Sequence, residues 1–432
     1  MISHQSWIDF KHAFLSKRQS SLQLSMETEI RSPHIGSISC LSIENVEHRY
    51  LLSGGGYDGR VSLFDFEATS DTTKASDRIR SNKLLTAFMV SEQIGRCVSS
   101  LQWYPLDLGC FIASTMDGKV TIWDTNAYQV VSEYPMGNMV YNARFNPSGT
   151  LVAVGTDAPE IAIIDPMTGG SSQKLVGHKS GIACLEWCPH SEYMLVSGAF
   201  DGSVKVWDTR RGGARSMLAT FDWRQDCIPE DETTKWKTDW SKDDTVRAHE
   251  GSVMSMSFTS SGQHLITSGN DRRARIWSVS NKNLGYLEDK NIRTACTSRL
   301  PYQIMVSELA SEMSDLLFIP CGSTGDIKVV TFRDLSNSEA HLVLKGHLDM
   351  VQGITMRKST QEVVSAGKDG LMLLWEPRKS DVEFLECNDV YGDDWSDDEA
   401  VRDDHNELSN GDEPIAFLPP ILRQMLQRGG IT

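Results

Sequence analysis

Short stretches of alternating apolar and polar residues recur along the chain. The runs VKVW, ARIW and KVTIW place β-branched and aromatic residues at every second position, which is the period of a half-buried β-strand. An aspartate-containing turn precedes each of these runs. No apolar run reaches the roughly 18 residues that a transmembrane helix needs. The pattern therefore predicts an all-β fold of short strands joined by tight turns.

Three of these strand-and-turn segments repeat one another. In each, a histidine stands 28 or 29 residues before a tryptophan, and an aspartate stands six residues before the same tryptophan. A serine or threonine lies between the histidine and the aspartate, so that each segment holds a set of four. The three sets are His178, Ser197, Asp201 and Trp207; His249, Thr267, Asp271 and Trp277; and His347, Ser365, Asp369 and Trp375. The spacing resembles the WD repeat, in which each copy forms one blade of a β-propeller.

The histidine, aspartate and serine of one copy invite a catalytic interpretation. The same trio recurs at a fixed position in several copies, however, and a nucleophile is not needed several times over. We interpret each set as a structural tetrad, in which the aspartate accepts from the histidine and the hydroxyl links the histidine to the tryptophan N–H. Leaving such buried groups unpaired would cost roughly 1–3 kcal/mol each. We expect no enzyme active site, no metal and no cofactor.

Degenerate copies extend the pattern to seven. Their predicted third-strand anchors are Phe64, Trp123, Ile164, Trp207, Trp277, Phe332 and Trp375. Seven blades of four strands close a propeller. Residues 22–30 alternate and are a candidate for the outer strand of the seventh blade, which would close the ring. The GGGYDG run at Gly54–Gly59 fits a dinucleotide-binding motif formally, but it leads into a strand rather than a helix, so we interpret it as a hairpin turn.

Three further parts complete the predicted organisation. The propeller is expected over residues 21–380, with an insertion at 221–247 whose tryptophans either pack onto the blade edge or contact a partner. Residues 1–20 carry an apolar stripe typical of an amphipathic helix, which is a cap on the propeller, a segment that docks in a partner's groove, or a targeting peptide. Residues 381–432 form a tail that is expected to be largely disordered.

The tail carries most of the net negative charge of the chain. The net charge is −16, and the stretch Asp389–Glu413 holds 11 acids and one arginine. Such a chain is a poor nucleic-acid binder, because phosphate contacts depend on clustered cations. Ser396 precedes three acidic residues, and we hypothesise that an acid-preferring kinase phosphorylates it.

Two features identify a more specific resemblance. The sequence VKVWDTRR contains W-D-x-R, with Asp208 and Arg210 after the tryptophan, and resembles the box of receptors that dock on the damage-specific DNA-binding adaptor of cullin-4 ubiquitin ligases. Over about residues 13–399 the chain resembles the Cockayne syndrome A family of such receptors. The stretches that carry this resemblance are FLSKRQ (14–19), RYLLSGGGYDG (49–59), VSSLQWYPLDLGCF (98–111), LVAVGT (151–156), VKVWDTRRGG (204–213) and DDWSDDE (393–399).

The resemblance implies a non-catalytic substrate receptor that acts in transcription-coupled nucleotide excision repair in the nucleus. Its expected partners are the adaptor, cullin 4 with its RING subunit through the adaptor, a Cockayne syndrome B-type translocase and stalled RNA polymerase II. Adaptor-binding residues would be Phe14, Leu15, Arg18, Asp208 and Arg210. The alternative is a WD-repeat scaffold subunit of a chromatin or other nuclear complex that has no ligase function.

Overall fold

The fold is a ring of seven β-sheets around a central channel, as the repeats predict. The computed structural model describes residues 18, 21–69, 80–91, 97–223, 246–279, 284–290, 300–307, 316–331 and 342–378. Each sheet is a blade of four antiparallel strands, and the first blade gains a fifth, short parallel strand. The first strands of neighbouring blades contact one another and line the channel. The predicted seven-bladed propeller is thereby confirmed.

The strands follow the chain order blade by blade. Blade one contains β2 (Thr28–Glu29), β3 (Ile38–Ile43), β4 (Tyr50–Gly55), β5 (Arg60–Thr69) and β6 (Arg80–Met89). Blade two contains β7 (Val98–Trp103), β8 (Cys110–Thr115), β9 (Lys119–Asp124) and β10 (Gln129–Pro135). Blade three contains β11 (Val140–Phe145), β12 (Val152–Thr156), β13 (Glu160–Ile164) and β14 (Ser171–Val176).

The remaining blades have the same arrangement. Blade four contains β15 (Ile182–Trp187), β16 (Met194–Ala199), β17 (Val204–Asp208) and β18 (Met217–Thr220), and blade five contains β19 (Val253–Phe258), β20 (His264–Gly269), β21 (Ala274–Val279) and β22 (Leu284–Lys290). Blade six contains β23 (Met305–Val306), β24 (Leu316–Cys321), β25 (Asp326–Thr331) and β26 (Leu342–Leu344). Blade seven contains β27 (Val351–Arg357), β28 (Glu362–Gly367), β29 (Met372–Pro377) and β1 (Leu22–Leu24). Two short 3₁₀ turns lie at Gly213–Ser216 and Gly322–Thr324.

The two chain ends meet in the seventh blade. Strand β1 pairs antiparallel with β29, with Leu22 opposite Pro377 and Leu24 opposite Trp375. Leu22 is buried in the core cluster of this blade together with Trp375. The predicted closure of the ring is therefore confirmed for residues 22–24, whereas Thr28–Glu29 pairs with blade one. Burial of Leu22 against the last blade stabilises the closed ring.

Alternation of strand direction gives the ring two different faces. The turn between the second and third strands of a blade lies beside the loop that enters the next blade: a Cβ on Gly370 would stand 2.5 Å from the carbonyl oxygen of Gly36. We call this side the tetrad face, because it holds the histidines and turn aspartates. The other side carries the turns that follow the first and third strands, and we call it the Arg210 face.

The sixth blade differs from the predicted alignment by two residues. In the fourth blade Leu195 is paired with Trp207, whereas in the sixth Leu317 is paired with Val330. Val330, not Phe332, therefore occupies the anchor position, and Phe332 lies outside the described residues. The cause is the turn: Gly325 has a φ of 70° and takes the place of Gly202, so Asp326 begins the strand instead of capping the turn.

The core consists of separate apolar clusters, each filled by neighbouring blades. The anchors Phe64, Trp207 and Trp277 are fully buried. Six cysteines lie in the described part of the chain, and all of them are free and buried: Cys40, Cys97, Cys110, Cys184, Cys188 and Cys321. Among the described residues, no helix is long and apolar enough to cross a membrane.

Candidate docking surface

The turn that follows strand β17 on the Arg210 face positions the W-D-x-R residues. Asp208 is almost buried, and its Oδ1 accepts from the backbone N–H of Arg210 at 3.0 Å, which caps the turn. The guanidinium of Arg210 donates from Nε to Oδ1 at 3.0 Å and from Nη2 to Oδ2 at 2.9 Å. These hydrogen bonds hold the pKa of the Asp208 carboxyl below its usual value, so the pair is charged at neutral pH.

An aromatic ring fixes the other side of the same guanidinium. The Cζ atom of Arg210 lies 5.0 Å from the centre of the Tyr193 ring, and the Tyr193 carbonyl accepts from the Thr209 N–H at 2.9 Å. The Arg210 side chain nevertheless remains 63% exposed. The W-D-x-R sequence predicts a bidentate bond from Arg210 to a partner, whereas in the structure Arg210 forms its bidentate bond with Asp208. Two of the five N–H donors of the Arg210 guanidinium are occupied, and the outer edge of this group is exposed to solvent.

Other blades use an aspartate at the same turn without an arginine. In blade three, Asp165 accepts from the Met167 N–H at 2.8 Å and from the Thr168 hydroxyl at 3.1 Å. In blade two, Asp124 accepts from the Asn126 N–H at 2.7 Å. The capping role is therefore general, and the presented guanidinium is the feature that distinguishes blade four from these two.

Arg18 contacts the ring on the Arg210 face. Arg18 donates from Nη2 to the carbonyl oxygen of Thr360 at 3.0 Å, in the turn between strands β27 and β28. Burial lowers the pKa of Arg18, and the charge of Glu362 partly offsets this effect. Arg18, expected to contact the adaptor, thus contacts the propeller in this structure. Phe14 and Leu15 lie outside the described residues.

Arg18 and Arg210 share a face but not a neighbourhood. Arg18 is seated beneath blade seven, and Arg210 beneath blade four. Blades four and seven are three steps apart in a ring of seven, so the two arginines lie on nearly opposite sides of the channel. A single partner that contacts both must span the Arg210 face.

The structure brings the predicted tetrad residues together in blades five and seven. In blade seven, His347 Nδ1 lies 3.0 Å from Asp369 Oδ2, and its Nε2 lies 2.8 Å from the Ser365 hydroxyl. The same hydroxyl accepts from Trp375 Nε1 at 2.8 Å. In blade five, His249 contacts Asp271 at 3.0 Å and Thr267 at 2.8 Å, and the Trp277 N–H donates to Thr267 at 2.9 Å.

Blade four contains a relay that the sequence did not suggest. His178 Nδ1 is 3.9 Å from Asp201, too far for a hydrogen bond. Instead Ser203 stands between them, 2.7 Å from His178 Nδ1 and donating to Asp201 Oδ1 at 2.6 Å. Ser197 links His178 to Trp207 at 2.6 and 2.7 Å. The expected direct bond from the histidine to the aspartate is therefore wrong for this blade, because a small hydroxyl residue follows Gly202.

Burial favours the neutral form of three blade histidines, His34, His178 and His347. It lowers the pKa of His178 to about 3, against an opposing effect of Asp201. It also lowers the pKa of His347, although Asp369 opposes the shift. His34 in blade one, which contacts Asp58 at 3.2 Å and Ser53 at 2.8 Å, behaves in the same way. These imidazoles are buried inside the blades, so they act as hydrogen-bond links rather than as proton-transfer groups for a ligand.

The insertion after blade four begins with a tryptophan that packs on blade five. The ring of Trp223 lies 5.3 Å from Cζ of Arg275, a fully buried side chain whose Nη1 donates to Asp271 at 2.5 Å. Trp223 also packs against the core cluster that contains Trp277. For Trp223 this agrees with the interpretation that the insertion places aromatics on the blade. Trp236 and Trp240 lie outside the described residues.

Comparison with known proteins agrees with the blades seen here. The family model for the WD domain, G-beta repeat, matches residues 169–208 and 240–278, which end with the third strands of blades four and five. The WD repeat-containing protein ATCSA-1 of Arabidopsis thaliana is 28% identical over an alignment that is 448 positions long, gaps included, and that covers 90% of this chain and 96% of that protein.

Two other relatives align over shorter stretches. Radiation-sensitive protein 28 of Saccharomyces cerevisiae is 27% identical over 222 residues, which cover 49% of this chain and 44% of that protein. Ribosome biogenesis protein YTM1 of Vanderwaltozyma polyspora is 32% identical over 133 residues, which cover 30% of this chain and 29% of that protein. Repeats alone produce matches of this length, since any few blades align with any others. Seven blades, their tetrads and these matches together show a seven-bladed propeller that contains WD40 repeats.

Proposed function

We propose that this propeller is a non-catalytic substrate receptor of a cullin-4 RING ubiquitin ligase, acting in transcription-coupled nucleotide excision repair in the nucleus. In this proposal the Arg210 face binds the damage-specific DNA-binding adaptor, and the tetrad face presents the target. The target would be a Cockayne syndrome B-type translocase at stalled RNA polymerase II. Ubiquitin transfer belongs to other subunits, and the receptor contributes by raising the local concentration of target lysines.

The presented guanidinium of Arg210 is the observation that carries the proposal. It is held by Asp208 and Tyr193 in one orientation while its outer edge is exposed. A preorganised group loses little conformational entropy on binding, and arginine suits bidentate recognition. The position of Arg18 adds support, because this predicted adaptor-binding residue lies on the same face.

The relatives favour this assignment over a generic scaffold. The alignment with ATCSA-1 runs through nearly the whole of both chains, whereas the ribosome biogenesis protein aligns over less than a third of each. Asp65 in blade one also holds an arginine bidentately, but that residue, Arg49, is 34% exposed against 63% for Arg210, so the greater exposure of Arg210 favours docking at blade four.

The test is affinity purification of the tagged full chain from cells. The wild-type chain is expected to recover the adaptor and cullin 4, and Arg210→Glu is expected to reduce the recovery of both by about tenfold or more, since charge reversal at a buried interface costs several kcal/mol. Arg60→Glu, an equal charge change on the tetrad face, is the matched control and should leave recovery unchanged. Recovery of a chromatin complex without adaptor or cullin 4 would refute the proposal.

A further inference from the structure

The tetrads of blades seven and one support an exposed apolar patch on the tetrad face. Asp369 accepts from the backbone N–H of Leu348 at 2.9 Å and from that of Leu371 at 3.1 Å. Asp58 accepts from the N–H of Ile35 at 3.1 Å in the same way. The buried carboxylates thus fix the backbone beneath these side chains, which are 83%, 40% and 67% exposed respectively.

Tyr57 belongs to the same patch, which consists of Ile35, Tyr57, Leu348 and Leu371 and is called the blade 7–1 patch. Gly370, next to Leu371, approaches the carbonyl of Gly36, next to Ile35, and a Cβ on Gly36 would stand 3.5 Å from Cβ of Tyr57. Tyr57 is 51% exposed. Four large apolar side chains on adjoining turns of a fixed backbone are an unusual surface for a solvated propeller face.

Tetrad geometry by itself does not require apolar residues here. The equivalent positions on the tetrad of blade five are Glu250 and Arg273, whose N–H groups lie 3.3 and 3.1 Å from Asp271. In blade four the residue that follows the histidine is Lys179, whose N–H donates to Asp201 at 2.9 Å. The apolar character is therefore absent from the equivalent positions of blades four and five, and in blades seven and one it points to an apolar occupant.

Cations border the patch. Arg60 lies on the same turn as Tyr57, Lys368 precedes Asp369, and Lys345 lies in the loop that leads to Leu348; all three are exposed. Within the part of the chain that the structure describes, none of the three forms a salt bridge. Asp349 is the acid beside them. The exposed border thus carries three cations and one acid, above the buried carboxylates of Asp58 and Asp369. Exposed cations beside apolar side chains suit a segment that is both acidic and aromatic.

The chain itself contains such a segment. In the sequence YGDDWSDDE, Tyr391 and Trp395 alternate with acidic residues. The described chain ends at Arg378, directly after strand β29 of blade seven, the blade that carries Leu348 and Leu371. At about 3.3 Å per extended residue, the link from Arg378 to Tyr391 spans up to roughly 40 Å, whereas a six-residue strand is only about 20 Å long.

We propose that the segment Tyr391–Glu399 folds back across blade seven and occupies the blade 7–1 patch, with Trp395 on the leucines and its acids beside Arg60, Lys345 and Lys368. The contact is intramolecular, so its effective concentration is high even if its intrinsic affinity is weak. If the tetrad face presents targets, as in the proposed function, a target must displace this segment.

The test is photo-crosslinking in the full-length chain, with p-benzoyl-phenylalanine in place of Trp395 and, as a control, in place of Phe417. The Trp395 probe is expected to crosslink to peptides that contain Ile35, Tyr57, Leu348 or Leu371. The yield should fall about fivefold or more with Leu348→Asp and Leu371→Asp combined, and also on raising NaCl from about 50 mM to about 500 mM, because charge pairs are screened. Arg210→Glu, a surface change on the other face, should have no effect.

Three results would overturn the proposal: crosslinks no more localised than those of the Phe417 probe, a yield unaffected by the double substitution, or crosslinks between chains when isotopically heavy and light protein are mixed. The last would assign the patch to a second copy. No adaptor is present in this experiment, so its failure would leave the proposed ligase function untouched. Circular dichroism of the double variant verifies that the propeller is intact.

Discussion

Arg210 donates from Nε and Nη2 to the two carboxylate oxygens of Asp208, at 3.0 and 2.9 Å. Asp208 also caps the turn through its bond to the Arg210 N–H. One carboxylate therefore shapes the turn and orients the side chain that the turn presents. In the proposed docking through the Arg210 face, this coupling would make Asp208 a positioning residue for the adaptor rather than a contact residue.

Asp208→Asn is expected to weaken adaptor binding although the residue is nearly buried. The amide retains one acceptor for the turn but loses the charge and one oxygen that hold the guanidinium, so Arg210 samples other orientations. Asp165→Asn, at the equivalent turn of blade three without an arginine, is the matched control. We expect both to lose about 1–2 kcal/mol of stability in urea titrations and only Asp208→Asn to lose affinity in calorimetry. Equal affinities for the two variants would contradict the positioning role.

Ser365→Ala is expected to destabilise the seventh blade. The hydroxyl accepts from Trp375 and lies 2.8 Å from His347 Nε2, and its removal leaves two buried nitrogen atoms without partners. The expected loss is about 2–3 kcal/mol of unfolding free energy, measured by denaturant titration. Ser365→Thr is the conservative control, because Thr267 fills the same position in blade five, and it should cost less than half as much. A neutral Ser365→Ala would show that the tetrad is not stabilising.

The stability of the propeller should fall as the pH drops from 7 to 5. Burial lowers the pKa of His178 to about 3, whereas the unfolded chain has a histidine pKa near 6.5. The unfolded state therefore binds the proton first, and stability is lost as pH falls below about 6.5. Linkage gives a loss of about 2 kcal/mol at pH 5 from this group alone. His178→Gln should reduce the slope of unfolding free energy against pH; an unchanged slope would exclude His178 as its source.

Arg272→Gly is expected to stabilise blade five. Arg272 has a φ of 62°, in the left-handed region that costs a non-glycine residue about 1–2 kcal/mol. The equivalent turn position is glycine in five blades: Gly59, Gly118, Gly202, Gly325 and Gly370. After the added entropy of glycine in the unfolded chain, the expected gain is about 0.5–1 kcal/mol in denaturant titrations. Arg273→Gly, one residue on, should bring no gain, and a gain there equal to that of Arg272→Gly would exclude backbone strain as the cause.

The sequence was sufficient for the ring but not for every register. Six anchors were placed correctly because apolar alternation and the aspartate spacing agree with each other, as at Trp207 and Ile164. In blade six Asp326 imitates the turn aspartate, and only the positive φ of Gly325 reveals which residue turns the chain. The signal in the sequence for this register is the order Gly325-Asp326, which replaces the Asp-Gly order of the turns in blades one, two, four and seven.

Side-chain partners were harder to predict than strands. The Ser203 relay and the Arg210–Asp208 pair depend on distances of a few tenths of an ångström between residues whose types allow several pairings. Sequence spacing placed Arg210 after the third strand, on the correct face, but could not distinguish a bond to a partner from one within the turn. The buried Arg275 beneath Trp223 was likewise missed, since a charged residue at a strand position usually indicates exposure.

The most direct measurement is the dissociation constant between the purified full-length chain and the adaptor, for wild type, Arg210→Glu and Arg60→Glu. The account predicts that Arg210→Glu weakens binding by about tenfold or more, while Arg60→Glu on the tetrad face binds as wild type does. Unfolding curves should show all three proteins folded, with Arg60→Glu matching wild type and Arg210→Glu somewhat less stable, because its carboxylate lies beside Asp208. Equal affinity of Arg210→Glu and wild type, or the same loss in both variants, would contradict docking through the Arg210 face.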